Sequence, residues 1–252
     1  MELIEADKEK YFEIIGYSYN KFNSMQFNEA NKDNAEKIYY FLFKDNKYRL
    51  GLIAGLKSNV LLSPFSAPFG GFSFRKSEVK IKYLEKALAL LEAWAHNNAI
   101  KRFQFTLPPV FYHDTFIAKE VNSFFTANYD VNKIDLNFHF ETSFLDNDYE
   151  QNIWHSAKKS LNKSKSKNLI FKKCVNDSEK ELAYSIIKIN RNKKGFPLRM
   201  KYYDIHKTNE IIEKDFFLIF TEDNESAAAA IVYKVTDKIV QVVYWGDDPE
   251  YS

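Results

Sequence analysis

The spacing of apolar positions changes period along this chain, and each change marks an element. Residues 5–22 carry Tyr11, Ile14, Ile15, Tyr19 and Phe22 on one face, which predicts an amphipathic helix. Residues 38–43 form a β-prone run, Asp45-Asn46-Lys47 supplies turn chemistry, residues 48–56 return as a second strand and residues 59–62 begin a third. Links this short join antiparallel neighbours, so the pattern predicts a meander. Residues 82–96 then follow helical spacing, with Leu84, Ala87, Leu88, Leu91 and Ala95 turned inward. A strand at residues 102–106 ends on Leu107-Pro108-Pro109, and a helix covers residues 114–127. Ile134, Leu136, Phe138 and Phe140 then alternate with Asp135, Asn137 and His139, the pattern of a half-buried strand.

A polar, turn-rich stretch at residues 141–149 predicts the boundary between two domains, 1–145 and 146–252. Beyond it a helix is expected at 154–167, a strand at 169–175 and a helix at 179–190 with Leu182, Ile186, Ile187 and Ile189 as its apolar set. A basic loop at 191–198 leads to a helix at 201–212 and to strands at 216–220, 227–233 and 239–244. Ala227-Ala228-Ala229-Ala230 is helical by propensity, but Ile231-Val232-Tyr233 and the Thr236-Asp237 turn favour a strand. The order of the first half thus begins again and stops at Trp245-Gly246-Asp247-Asp248-Pro249-Glu250-Tyr251-Ser252. The expectation is an α+β fold with mixed sheets, built as one and a half copies of a unit. On this reading about 60–90 residues beyond Ser252 would complete the second domain.

Composition narrows the function classes. Hydrophobic residues make up 45% of the 252 positions and charged residues 28%, which is globular rather than disordered. A net charge of +2 gives no overall steering toward nucleic acid or membrane. Cys174 is the single cysteine, so no internal disulfide forms; it reads as a buried structural thiol. The acidic start lacks a signal-peptide core and no apolar run reaches the roughly 20 residues of a membrane span, so the expected location is the cytoplasm. The five histidines show no paired metal spacing, and His139-Phe140-Glu141 has no Cys-x-x-Cys to complete a zinc-deaminase site. No Gly-x-Ser-x-Gly occurs either. No metal is expected, and metalloenzyme and serine-hydrolase chemistry have no motif here.

Three stretches are candidates for function. Ser63-Pro64-Phe65-Ser66-Ala67-Pro68-Phe69-Gly70-Gly71-Phe72 places two prolines and paired glycines at the meander exit. Such a segment brings bare backbone near a ligand, or serves as a sheet-exit loop plugged by aromatics. Between Glu150 and Asp177 no acidic residue interrupts Lys158, Lys159, Lys163, Lys165, Lys167, Lys172 and Lys173, a phosphate-binding run or a solvated helix face. Asp247, Asp248 and Glu250 follow the last strand as a possible proton acceptor or a charged turn.

The meander exit, the segment Lys158, Ser160, Leu161, Lys163, Ser164, Lys165 and Asn168, and the strand end Tyr244-Trp245-Gly246-Asp247 carry a resemblance. With the element order, which covers nearly the whole chain, they make it similar to the GNAT acyltransferase superfamily, and in particular to the tandem-GNAT architecture of the Fem-type aminoacyl transferases. Fem-type proteins show a basic residue, an aliphatic, Lys-small and then Gly, and Asn168 stands about where that Gly falls. The resemblance implies an N-acyltransferase taking an acyl-CoA or aminoacyl donor and an amine on a small molecule or cell-wall precursor, with transfer RNA as a further partner. It implies Asp247 as base, Lys158, Lys163 and Lys194 as phosphate or substrate ligands, and Phe69, Gly70, Gly71, Tyr244, Trp245 and Gly246 around the donor. The family's Gly-x-Gly or Gly-x-Ala pyrophosphate loop has no match in this sequence, where Gly70-Gly71 occupies that region; the coiled-coil arm is also absent. A non-catalytic ligand-binding protein on the same fold is the alternative, and nucleic-acid binding through residues 158–173 and 191–201 a third reading.

Overall fold

The computed structural model describes residues 1–75, 79–142 and 149–251. The chain forms two compact units, Met1–Asp135 with Val235–Ile239, and Leu136–Lys234 with Val240–Ser252. The boundary expected at 145/146 lies outside the described residues. Both units mix helix and strand, with a mixed sheet in the first and a separate antiparallel sheet in the second.

The first unit runs β1 (Glu2–Ala6), α1 (Lys8–Ile15), α2 (Met25–Ala30), β2 (Lys37–Lys44), β3 (Tyr48–Lys57), β4 (Val60–Ser63), β5 (Phe72–Phe74), α3 (Ile81–Asn97), β6 (Arg102–Phe105) and α4 (Asp114–Thr126). Its strands pair in the order β1-β2-β3-β4-β6, with β5 also on β3. The meander is antiparallel as the short links require, and β6 joins β4 in parallel because a helix connects them. β2 and β3 are buried on both faces, which explains why their sequences read as continuous apolar runs. Tyr40, Leu42 and Ile53 pack with Tyr11 and Ile15 of α1. Phe41, Phe43, Leu50 and Leu52 share the opposite core with Leu84, Leu88 and Leu91 of α3 and Phe116 of α4.

Two expectations are corrected here. The first helix does not run over residues 5–22. Glu2–Ala6 is a strand paired with β2, Asp7 caps α1 by accepting from the Lys10 amide, and the helix stops at Gly16, where φ is +71°. Residues 134–140 form no strand. Ile134, Leu136, Phe138 and Phe140 lie in irregular backbone and are exposed, Phe138 at 85%.

The second unit runs α5 (Tyr149–Asn152), α6 (His155–Lys165), β7 (Ile170–Lys173), α7 (Asp177–Lys193), α8 (Tyr202–Lys207), β8 (Lys214–Phe220), β9 (Ser226–Lys234) and β10 (Val240–Asp247). The sheet order is β10-β9-β8-β7, antiparallel throughout. The alanine run stands in β9, whose alternate residues are buried, and α7 lies across β8, β9 and β10. Asn176 caps α7 by accepting from the Glu179 amide. The helix expected at 201–212 ends at Lys207. Cys174 follows β7 with its thiol buried, its pKa raised first by that burial. No helix among the described residues is long and apolar enough to cross a membrane.

Candidate functional site

The meander exit is locked rather than loose. Gly70 donates its amide to the Thr106 carbonyl at 2.8 Å, and a Cβ there would sit 2.3 Å from the Pro64 backbone nitrogen. Gly71 adopts φ +104°, donates to Ser63 Oγ at 3.1 Å and accepts from Asn23 Nδ2 at 3.3 Å. A Cβ on Gly71 would lie 2.8 Å from Glu120 Oε1. The paired glycines therefore allow the backbone to pass against a carboxyl. Phe69 packs edge-on against Phe22 and Tyr112, so it serves as an aromatic plug.

Sequence reasoning missed Glu120. Its side chain is fully buried, and Oε1 accepts from the Phe72 amide at 2.7 Å. Burial pushes its pKa up to about 8, against the smaller opposing pull of that amide. The signal was present in α4, where Phe116, Ile117, Glu120, Ser123 and Phe124 share the buried face and an acidic residue interrupts it.

A second feature of the first unit is a surface hollow of about 650 Å³, lined by Lys47, Tyr48, Arg49, Arg75, Val79, Lys80 and Tyr83. Four of these side chains are cationic. Arg49 is held in place: Asp45 grips it with Nε and Nη2 both at 3.0 Å, and its guanidinium lies 4.4 Å from the Tyr83 ring centre. Arg49 in turn lowers the Asp45 pKa to about 2. Lys80, the N-cap of the 17-residue α3, makes no side-chain cap and lines the hollow. The lining comes from the β2–β3 turn, the end of β5 and the start of α3; no single stretch of sequence announces it.

In the second unit Asp247, Gly246 and Lys194 come together. Asn190 Nδ2, from α7, donates to both the Asp247 carbonyl and its Oδ1 at 2.7 Å, and Lys194 Nζ reaches the same Oδ1 at 3.3 Å. Gly246 allows this approach, since a Cβ would meet the Asn190 side chain at 2.9 Å. Tyr244 and Trp245 stand opposite Ile231 and Ala230 of β9, Tyr244 partly buried with its pKa raised by burial and Trp245 exposed. Lys158 and Lys163 lie on the exposed α6, away from that cluster in sequence. The acid-free lysine run draws its counter-charges from outside: Glu150 pairs with Lys165, Glu179 with Lys172 at 2.6 Å and Asp215 with Lys173 at 2.7 Å. Lys214 was also unforeseen. Burial lowers its pKa to about 7; it reaches Asn209 Oδ1 at 3.1 Å and lies over the Tyr233 ring.

Among the described residues no group of His, Cys, Asp and Glu could hold a metal ion, and His139 and Glu141 are exposed. The hollow can bind an anion with an apolar or planar part, since guanidinium, ammonium and aromatic faces converge on it. No protein-family model matches the chain, and no curated protein matches it significantly.

Proposed function

We propose that this chain is an N-acyltransferase of the tandem GNAT or Fem-like kind, transferring an acyl or aminoacyl group to an amine. The observation that carries the reading is the hollow at the start of α3, with Lys47, Arg49, Arg75 and Lys80 beside two tyrosines. It joins the β2–β3 turn of the meander to the start of α3, and an acyl donor's phosphates would need such cations. The family's glycine loop is missing from the sequence, and these side chains supply its charge instead. The element order of the first unit and its partial repetition in the second support the same reading. Chemically, the amine nitrogen bonds to the acyl carbon, the bond to the donor's sulfur or oxygen breaks, and the nitrogen's proton passes to a base. Asp247 reads as a positioned carboxylate in the second unit, tied by Asn190 and Lys194.

A non-catalytic ligand-binding role is the second reading, favoured by the engagement of Asp247. Transfer-RNA binding draws less support, because Glu150, Glu179 and Asp215 answer lysines of the basic run. The test is a calorimetric titration with acetyl-CoA and with coenzyme A. Binding that weakens about tenfold in Arg49→Gln and Arg75→Gln, and falls with salt, supports the proposal. Unchanged affinity in both variants, or no binding, removes it. Donor binding without turnover on any amine tried would leave the binding-protein reading in its place.

A further inference from the structure

The two sheets repeat one plan. In the first unit β1, two helices and the meander give the strand order β1-β2-β3-β4; in the second, β7, two helices and three strands give β7-β8-β9-β10, and neighbours are antiparallel in both. The first sheet is covered on both sides. α1 packs on Tyr40, Leu42 and Ile53, while α3 and α4 bury Phe41, Phe43, Leu50 and Leu52 completely. In the second sheet α7 takes one side. Gly246 stands opposite Ala229 and meets Asn190 of α7, so Ala229 and its same-side neighbours Ile231, Tyr233, Phe216 and Leu218 point to that helix, and all are buried. The register fixes the other side as well. Its middle is Ala228 and Ala230 of β9, flanked by Phe217 and Ile219 of β8 and by Val242 and Trp245 of β10. Phe171 of β7 stacks on Phe217 with ring centres 5.3 Å apart. None of these residues is buried, and Phe171, Val242 and Trp245 are 67%, 55% and 66% exposed. An antiparallel sheet with one wet face alternates apolar and polar residues; here both faces are apolar, as in the doubly covered β2 and β3.

We propose that this bare face of the second sheet docks an amphipathic α-helix whose apolar stripe is built of leucine and alanine. The first unit shows what suits such a face: α3 turns Leu84, Ala87, Leu88 and Leu91 onto the side of its sheet away from α1. Charge excludes a polyanionic guest, because the ions on this side already have partners. Lys173 pairs with Asp215 at 2.7 Å and Lys234 with Glu213 at 3.5 Å, so the middle asks for an apolar surface. Shape selects a helix over a second copy of the sheet. Two alanines between larger side chains leave the face lower along β9 than on its flanks, and two such hollow faces do not fill each other. A convex rod does. Strands about 4.8 Å apart put β10 and β8 about 10 Å apart, the width of one helix seated on the alanines.

Helix docking does not depend on acyl transfer, since a chain that binds no acyl donor can still bind a helix. The experiment titrates the full chain into a fluorescein-labelled peptide of residues 80–98, the α3 sequence, and follows anisotropy. Saturable binding is expected, weakened about tenfold or more in Val242→Lys and in Phe171→Lys, because each puts an ammonium against the apolar stripe. Both positions are more than half exposed, so the variants should fold as wild type does, which far-ultraviolet circular dichroism checks. A peptide carrying Leu84→Ser, Leu88→Ser and Leu91→Ser should not bind. A second readout locates the contact: unlabelled peptide with Trp94→Phe should shift the chain's tryptophan emission to shorter wavelength, and the Trp245→Phe chain should lose that shift. No saturable binding, equal binding of the serine peptide, or unchanged affinity in both lysine variants overturns the proposal. So does a dimer in sedimentation that Val242→Lys dissociates, since a second copy would then own the face. Failure of the acetyl-CoA titration alone leaves it standing.

Discussion

At Gly71 the backbone combines φ +104° with a carboxyl 2.8 Å from where a Cβ would be, so two separate penalties fall on one substitution. Gly71→Ala should cost about 1–3 kcal/mol, read as a shift in a denaturation midpoint. Glu120 makes a pH-dependent prediction. Burial lifts its pKa from the ordinary 4.5 to about 8 in the folded chain, so the folded state binds the proton more tightly. Its stabilising contribution is complete below pH 4.5 and is lost as pH rises toward 8. Wild-type protein should therefore lose melting temperature between pH 5 and pH 8 relative to Glu120→Gln; parallel curves would contradict the burial of this carboxyl. Lys214 gives a third test. With a pKa of about 7, it should acylate with an amine-selective reagent at neutral pH well ahead of the surface lysines, as peptide mass mapping would detect. The dryness of Glu120 and of Lys214 was hidden in the sequence for a common reason. A lone Glu in a helix or a lone Lys in a strand looks ordinary until burial removes water from it.

At the scale of elements, the end of β10 depends on α7. Asn190 is buried and spends its NH2 on the Asp247 carbonyl and carboxylate, whereas Lys194 meets Asp247 as an exposed ion pair. Asn190→Ala should cost about 1–3 kcal/mol, because it leaves the Asp247 carbonyl short of its partner. Lys194→Met should change stability by less than about 1 kcal/mol. Equal effects in chemical denaturation would show that the charge, not the amide, holds this corner. The long helices were legible from their apolar spacing: α3 and α4 fall within one residue of the periodicity's limits. The first helix was not. Tyr11 and Ile15 do face the core, but Tyr19 and Phe22 reach it from the connection beyond Gly16, so matching apolar spacing ran across a helix stop. β1 was missed because its short, half-exposed sequence acquires strand geometry from its pairing with β2.

For the whole molecule, the apolar alternation at residues 134–140 is the largest departure. Leu136 is 82% exposed, although its pattern matches a half-buried strand. Phe138→Ser and Leu136→Ser should therefore stay within about 0.5 kcal/mol of wild type, while Leu42→Ala in the double-sided strand should cost about 2–5 kcal/mol. Large losses at the first two positions would show that this segment is covered in solution. The hollow at α3 likewise exists only at this scale, because Lys47, Arg49, Arg75 and Lys80 are brought together by the β2–β3 turn and the return of β5 onto β3. By itself the sequence determined the meander, the two long helices of the first unit, α7 and the three strands that close the second unit, because local periodicity, turn chemistry and capping act over a few residues. Only the tertiary structure decided that Glu120 is dry and its pKa raised, that Asp247 is tied to Asn190, and that scattered cations share one hollow. Desolvation and convergence are properties of a residue's surroundings, and those surroundings come from parts of the chain far apart in sequence.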